Sequence, residues 1–319
     1  MNLFRIAGAS TIGTSHIENG TPCQDKFFSK KSKNVAAISL ADGAGSCSKS
    51  DIGAEICTRY IVDFLCDNFD KTFLQSELEV SDEILKGVTK SLQNMSDELN
   101  APLKDLSSTL LFVAVKGNKF LAGHIGDGLI GSFDESGSQI FSPPENGEFS
   151  NQTFFITMND AKDYLRIYKG NLNSTLGFIL MSDGSYESLF DIQKNELTEA
   201  NLTFFSWLVD KKNPIETIEK SLEDTLANQF TKRTSDDCSL ILLSTKHVDG
   251  WLNQVKEIAQ FDKNTHVMAL AQELPLGLSQ KQFEQCQGIF GRRSIFKLID
   301  QGLLVSEVFL PNSYAYETQ

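Results

Sequence analysis

NVAAISLADGAGSCSKS (residues 34–50) runs apolar from Val35 to Ala41 and then breaks on Asp42-Gly43-Ala44-Gly45. The run is short, partly β-branched and closed by glycines, so it reads as a buried strand ending in a turn. A carboxylate at the mouth of such a strand is well placed to hold a cation. The glycines let the backbone approach a ligand and offer a carbonyl as a further oxygen. Asp-Gly is also a common hairpin turn, so the weight of Asp42 depends on matching carboxylates elsewhere.

Outward from this stretch, residues 3–9 read as a strand. Residues 10–24 are polar and turn-rich, with His16, Gly20 and Pro22, and Asp25 opens a short strand, DKFFSK. C-terminal to it, the spacing of Ile56, Tyr60, Ile61, Phe64 and Leu65 predicts a helix from about residue 51, capped by Ser50 or Asp51. A second helix is expected over 81–99, from Ile84, Leu85, Val88, Leu92, Met95 and Leu99. STLLFVAV, Gly117-Asn118 and KFLAGHIGDG form a hairpin signal, and LIGSF follows. Residues 137–147, with Pro143-Pro144, read as loop. NQTFFITM, YLRIYKG and LGFILMSDG read as strands, 197–209 and 214–229 as helices, and CSLILLS as a buried strand. Composition shifts near residue 246. The expected domains are therefore 1–245 and a small, mainly helical C-terminal module over 246–319.

Asp42, Asp127 and Asp183 each end an apolar run, Asp236-Asp237 precede one, and Asp25 starts a strand. Either these are hairpin turns, or a sheet or sandwich gathers them. Gathered carboxylates repel one another, and their pKa values rise unless cations neutralise them. An oxygen-only set selects hard ions, Mg²⁺ or Mn²⁺. Two such ions about 3.5–4 Å apart activate a bridging water and hold a phosphoryl group for in-line attack.

The 319 residues carry a net charge of −13, which argues against general nucleic-acid binding and suits a protein that gathers carboxylates around cations. The six cysteines form no C-x-x-C pair, and with four histidines and no H-E-x-x-H a zinc site is not expected. Scattered thiols, no signal-peptide pattern and no apolar stretch of about 18 residues point to a cytoplasmic protein that does not cross a membrane.

Six motifs in order resemble the metal-dependent serine/threonine protein phosphatases of type 2C: CQD (23–25), LADGAG (40–45), SSTLLFVAV (107–115), IGDG (125–128), LMSDG (180–184) and SDDCSLILL (235–243). The resemblance spans residues 5–244. It implies an α+β fold, a four-layer αββα sandwich of two antiparallel sheets flanked by helices, and hydrolysis of phosphoserine and phosphothreonine on proteins by a metal-activated water. It implies Mn²⁺ or Mg²⁺, two or three ions. Asp42 would bridge both metals with the Gly43 carbonyl on one, Asp183 and Asp236 would hold the second, Asp127 a weaker third, and Asp25 would act through intervening water. Successive side chains in a strand alternate, so Asp236 and Asp237 cannot both face the metals. Alignment with the family favours Asp236 and leaves Asp237 a structural role.

Three departures from the family stand out. Its frequent His after the central Asp-Gly, a candidate general acid, is Ala44 here. Its phosphate-binding Arg five residues before the early Asp is Gly20, leaving His16 as a candidate substitute and Arg5 as a more remote one. The segment 143–159 is short, which implies a reduced substrate-facing flap and resembles a compact bacterial subgroup associated with kinase-like partners. The expected partners are a phosphoprotein substrate and a cognate Ser/Thr kinase. The rival reading, motivated by Ala44 and Gly20, is a catalytically weak phosphatase-like scaffold. A third reading, a winged helix in the tail using Arg292, Arg293 and Lys297 on DNA, lacks a strong basic patch.

Overall fold

The computed structural model describes residues 4–245 apart from positions 33, 135, 146–152 and 211. Residues 4–245 form one compact unit. The module expected over 246–319 lies outside the described residues.

The first half of the chain runs β1 (Arg5–Thr11), α1 (Thr14–Asn19), β2 (Lys26–Lys31), β3 (Val35–Ala41), α2 (Ser50–Leu74), α3 (Glu77–Leu99), β4 (Leu110–Lys116), β5 (Lys119–Ile125), β6 (Leu129–Asp134) and β7 (Gly137–Ser142). The second half runs α4 (Ala161–Tyr164), β8 (Arg166–Asn171), β9 (Gly177–Met181), α5 (Asp183–Leu189), β10 (Phe190–Asp191), β11 (Glu196–Leu197), α6 (Glu199–Val209), α7 (Ile215–Gln229) and β12 (Cys238–Ser244).

Two five-stranded sheets, ordered β1-β12-β9-β6-β7 and β2-β3-β4-β5-β8, are antiparallel throughout. All seven residues of β3 are buried, because both of its faces are covered. Val35, Ala37 and Ala41 join a core with Ile61, Leu65, Ile84 and Leu92 of α2 and α3. The alternate residues Ile38 and Leu40 turn the other way, into the layer between the sheets. There Phe120 of β5 meets Phe178 of β9 with ring centroids 5.7 Å apart, joining the two sheets. The second sheet packs its outer residues Ile179, Leu240 and Leu242 on Phe204, Leu222 and Leu226 of α6 and α7. The result is the four-layer helix–sheet–sheet–helix sandwich.

Several expected elements differ. Residues 137–142 form β7, not loop: this edge strand is half-exposed and pairs only with β6, across an irregularity at Ile130/Gly131, so its sequence lacks a buried run. NQTFFITM is not a strand over its described part. Phe154 and Ile156 bury alternately and imitate one, but the Met158 amide folds back onto the Phe155 carbonyl, and the segment's tie to the sheet is Ile156 N–H donating to Ser108 O at 2.9 Å. Helix α2 starts at Ser50 with Lys49 as N-cap, because the Ser50 hydroxyl instead bonds the Gln24 side chain and the Cys47 carbonyl. Helix α3 starts four residues earlier than expected, at Glu77, on a capping box of Ser76 and Glu79. The short helix α1 occupies a stretch read as turn-rich, and α5 begins at Asp183, within the end of the stretch LGFILMSDG read as strand.

Candidate active site

The strand registers place every expected acidic position at one end of the sandwich. Lys26 pairs with Ala41 and Leu110 with Ile125, so Asp25, Asp42, Thr109 and Asp127 share one end of the first sheet. Leu240 pairs with Met181, and Met181 with Leu129, so Asp183 and Asp236-Asp237 sit at the corresponding end of the second. Glycine at 43 is required by a close approach: a Cβ there would lie 2.8 Å from the Ser50 backbone. The Asp42–Gly43 peptide is thereby seated on the first residue of α2.

The carboxylates form a gradient from the interior to solvent. Asp25 is 2% exposed, Asp42, Asp127 and Asp183 are half-buried, and Asp236 is exposed. Asp42 keeps a solvent-facing edge, yet the protein around it disfavours its charge. That desolvation, and then the charges of Asp25, Asp183, Asp127 and Asp236, hold its carboxyl well above the usual range. Burial, then Asp127, Asp25 and Asp236, push Asp183 up to about 8. Burial pushes Asp25 up to about 7, with Asp237 adding to the rise and the neighbouring Ser182 and Ser239 hydroxyls opposing it. Those hydroxyls stand beside Asp25 without aligned hydrogen bonds, and both Asp25 oxygens are buried with no partner among the described residues. Asp127 is also raised, by burial first, while Thr153 Oγ1 donates to it.

Asp237 is separated from this group. It is 1% exposed and accepts the amides of Gly13 at 2.7 Å and Gln24 at 2.6 Å. His16 Nδ1 lies 2.9 Å from Asp237 Oδ1, off the line of an aligned hydrogen bond. His16 therefore turns one nitrogen inward, onto a structural carboxylate. Arg5 does not reach the aspartates: it donates to the Asp210 and Asn213 carbonyls and sits opposite Ser244, at the far end of β12. Gly20, the C-cap of α1, has φ +67, a left-handed conformation that disfavours an arginine. Ala44 is 7% exposed, and its amide donates to Ser107 O.

Residue-by-residue reading missed the groups that hold the aspartates. Thr109 clamps Asp42 by accepting its amide on Oγ1 and donating its own amide to the Asp42 carbonyl, both at 2.8 Å. Gln24 joins Asp237, Gly43 and Ser50 through its amide, carbonyl and side chain. Tyr186 stands near Asp183 and Asp127, its phenol pushed up to about 12 by burial and then by those charges. Thr109 and Gln24 lie inside quoted motifs, so a signal existed; nothing in the sequence marks Tyr186 or Thr153.

The arrangement fits hard cations. Its donors are oxygens, its carboxylates oppose one another's ionisation, and Asp25 is buried without a partner. Among the described residues no three His, Cys, Asp or Glu side chains are grouped to enclose one ion.

Residues 12–227 match the family description "Protein phosphatase 2C". Serine/threonine-protein phosphatase 3 of Escherichia coli (strain K12) is 25% identical over 249 residues, covering 75% of this chain and 97% of that protein. Serine/threonine phosphatase Stp1 from Staphylococcus aureus is similar in structure with a TM-score of 0.55 at 13% identity, over 77% of this chain and 96% of that one. The catalytic domain of the serine threonine protein phosphatase PstP, solved in complex with 2 manganese ions, has a TM-score of 0.52 at 14% identity, over 76% of this chain and 99% of that one. At such identities the two structures show a shared fold.

Proposed function

This chain belongs to the protein phosphatase 2C family and is a protein phosphatase, and from that premise we propose that it hydrolyses phosphoserine and phosphothreonine on proteins with divalent cations held at the aspartate cluster. The observation that carries the proposal is the convergence of Asp25, Asp42, Asp127, Asp183 and Asp236 from separate strand ends into one electrostatically coupled group. Asp42, the Gly43 carbonyl, Asp183 and Asp236 would hold two Mn²⁺ or Mg²⁺ ions, Asp127 a third, and Asp25 would act from behind them. Ions bound there would acidify water and clamp the phosphoryl oxygens for in-line attack.

The chain's own residues orient this group. Thr109 fixes the Asp42 backbone, and Asp237 ties Gln24 and Gly13 so that Asp25 and Asp236 keep their places. Ala44 has no proton to give, so the leaving oxygen takes its proton from water or from another group of the site. The substrate is a phosphoprotein, and a Ser/Thr kinase is the class of enzyme that must supply it. No described helix is long and apolar enough to cross a membrane; a cytoplasmic location belongs to the proposal.

Turnover of a phosphothreonine peptide should require Mn²⁺ or Mg²⁺, stop in EDTA and disappear in Asp42→Ala. Full activity in EDTA would sink the proposal. Gly20 and Ala44 favour a second reading, a weakly catalytic scaffold, which strong metal-stimulated turnover removes.

A further inference from the structure

An open cleft of about 630 Å³ lies between α3 and residues 156–162. Lys86 and Lys90 lie four residues apart on α3 and so form one row, while Leu85 faces into the same cleft beside them. Ile156, Met158 and Lys162 form the opposite wall. The floor is apolar and the rim is basic. All three lysines are exposed, and none forms an ion pair among the described residues. Asp82 is the one acid of the lining. Three cations against one acid stand out on a chain of net charge −13.

The cleft is tied to the aspartate cluster through residues 107–109. Thr157, which lines it, has Oγ1 2.6 Å from Ser107 Oγ, and the Ser107 carbonyl accepts the Ala44 amide at 2.9 Å. The neighbouring Ser108 carbonyl accepts the Ile156 amide, and Thr109 clamps Asp42. The segment 107–109 thus bonds Asp42 and Ala44 of the acidic end and, in turn, Ile156 and Thr157 of the cleft.

We infer that this cleft docks an acidic segment of the phosphoprotein substrate, its carboxylates at Lys86, Lys90 and Lys162 and an apolar side chain on Leu85, Ile156 and Met158. The inference rests on the phosphatase reading above and names its substrate class. The chain's net charge of −13 disfavours acidic peptides in general, so a local basic rim selects where they land. A second copy of this chain is disfavoured as occupant by the same charge, −13 against −13. Single-stranded nucleic acid is disfavoured because the lining has no aromatic platform for stacking.

The test uses the full chain and a fluorescein-labelled, unphosphorylated peptide carrying Asp/Glu around one leucine, read by fluorescence anisotropy. Its control is the same peptide with Asn/Gln. The acidic peptide should bind about tenfold tighter, the scale of three exposed ion pairs, and lose that margin in added salt. The triple variant K86E/K90E/K162E should abolish the difference at an unchanged melting temperature. On phosphothreonine versions of the peptides it should raise KM for the acidic one with kcat, and turnover of p-nitrophenyl phosphate, unchanged. Equal binding of the two peptides, or undiminished binding by the triple variant, overturns the inference. So does a dimer, seen by sedimentation velocity, that the triple substitution dissolves. Peptide binding needs no hydrolysis, so absent turnover in Mn²⁺ would overturn the phosphatase reading while the docking result stood by itself.

Discussion

Asp237 Oδ2 accepts the amide of Gln24 at 2.6 Å across 213 residues of chain. This bond ties the start of β12 to the start of β2, and the second oxygen ties in Gly13 at 2.7 Å. Asp237→Ala leaves both amides without a partner, at about 1–3 kcal/mol each. The melting temperature should fall by about 5–10 °C in a domain of this size. Asp236→Ala removes an exposed carboxylate and should leave the melting temperature within about 2 °C while abolishing metal-dependent turnover. Thermal melts and assays of the two neighbours check the division of labour; equal melts would contradict it.

The ion-free protein should lose stability as pH rises. Asp25 and Asp183 titrate at about 7 and about 8 in the folded state against 3.8 when unperturbed. Between those values the folded state keeps protons that the unfolded state releases, so stability declines through that window and levels off above it. In EDTA the melting temperature should drop by several degrees from pH 5.5 to 8.5, and millimolar Mn²⁺ should remove most of the slope. A flat profile in EDTA would show that the carboxylates do not strain one another.

Ala44 makes the rate depend on the leaving group. An aryl phosphate departs as a stable phenolate, whereas a serine alkoxide needs a proton. Ala44→His should raise kcat for a phosphoserine peptide by about tenfold relative to p-nitrophenyl phosphate. Parallel changes on both substrates would place proton delivery elsewhere.

Gly43→Ala puts a methyl group 2.8 Å from the Ser50 backbone, where no flexible side chain can yield. Overpacking of this kind costs about 1–3 kcal/mol and should lower the melting temperature by about 5 °C. Turnover should fall with it, since Asp42 moves with the strand end. Wild-type kinetics at raised Mn²⁺ would mean that the peptide relaxes without displacing the carboxylate.

Elements with buried runs were legible from their residues alone. β3, β9 and β12 are buried on both faces, and their shortness, with a turn signal at one end, separates a covered strand from a buried helix. β7 was not legible, because an edge strand buries little, and its Gly137 and the Pro143 just after it look like loop. The segment 153–158 failed the opposite way: Phe154 and Ile156 have a strand's alternation without a partner strand to bond. The acidic positions were legible because each sits where a strand-like run starts or stops. Their holders were legible only as members of a motif: the part that Thr109 or Gln24 plays is set by a partner far along the chain, and nothing in the sequence marks Tyr186 or Thr153.

The sheet order β1-β12-β9 sets a timetable for biosynthesis. β12 is inserted between strands made long before it, and Asp236 precedes it by two residues. Until residue 244 has emerged from the ribosome, β1 has no neighbour to bond and the aspartate cluster lacks one member. Closing a gap of more than two hundred residues is slow relative to local helix formation. If Asp236 serves as proposed, the nascent chain has no phosphatase activity before that closure, and activity begins as a single late event of folding.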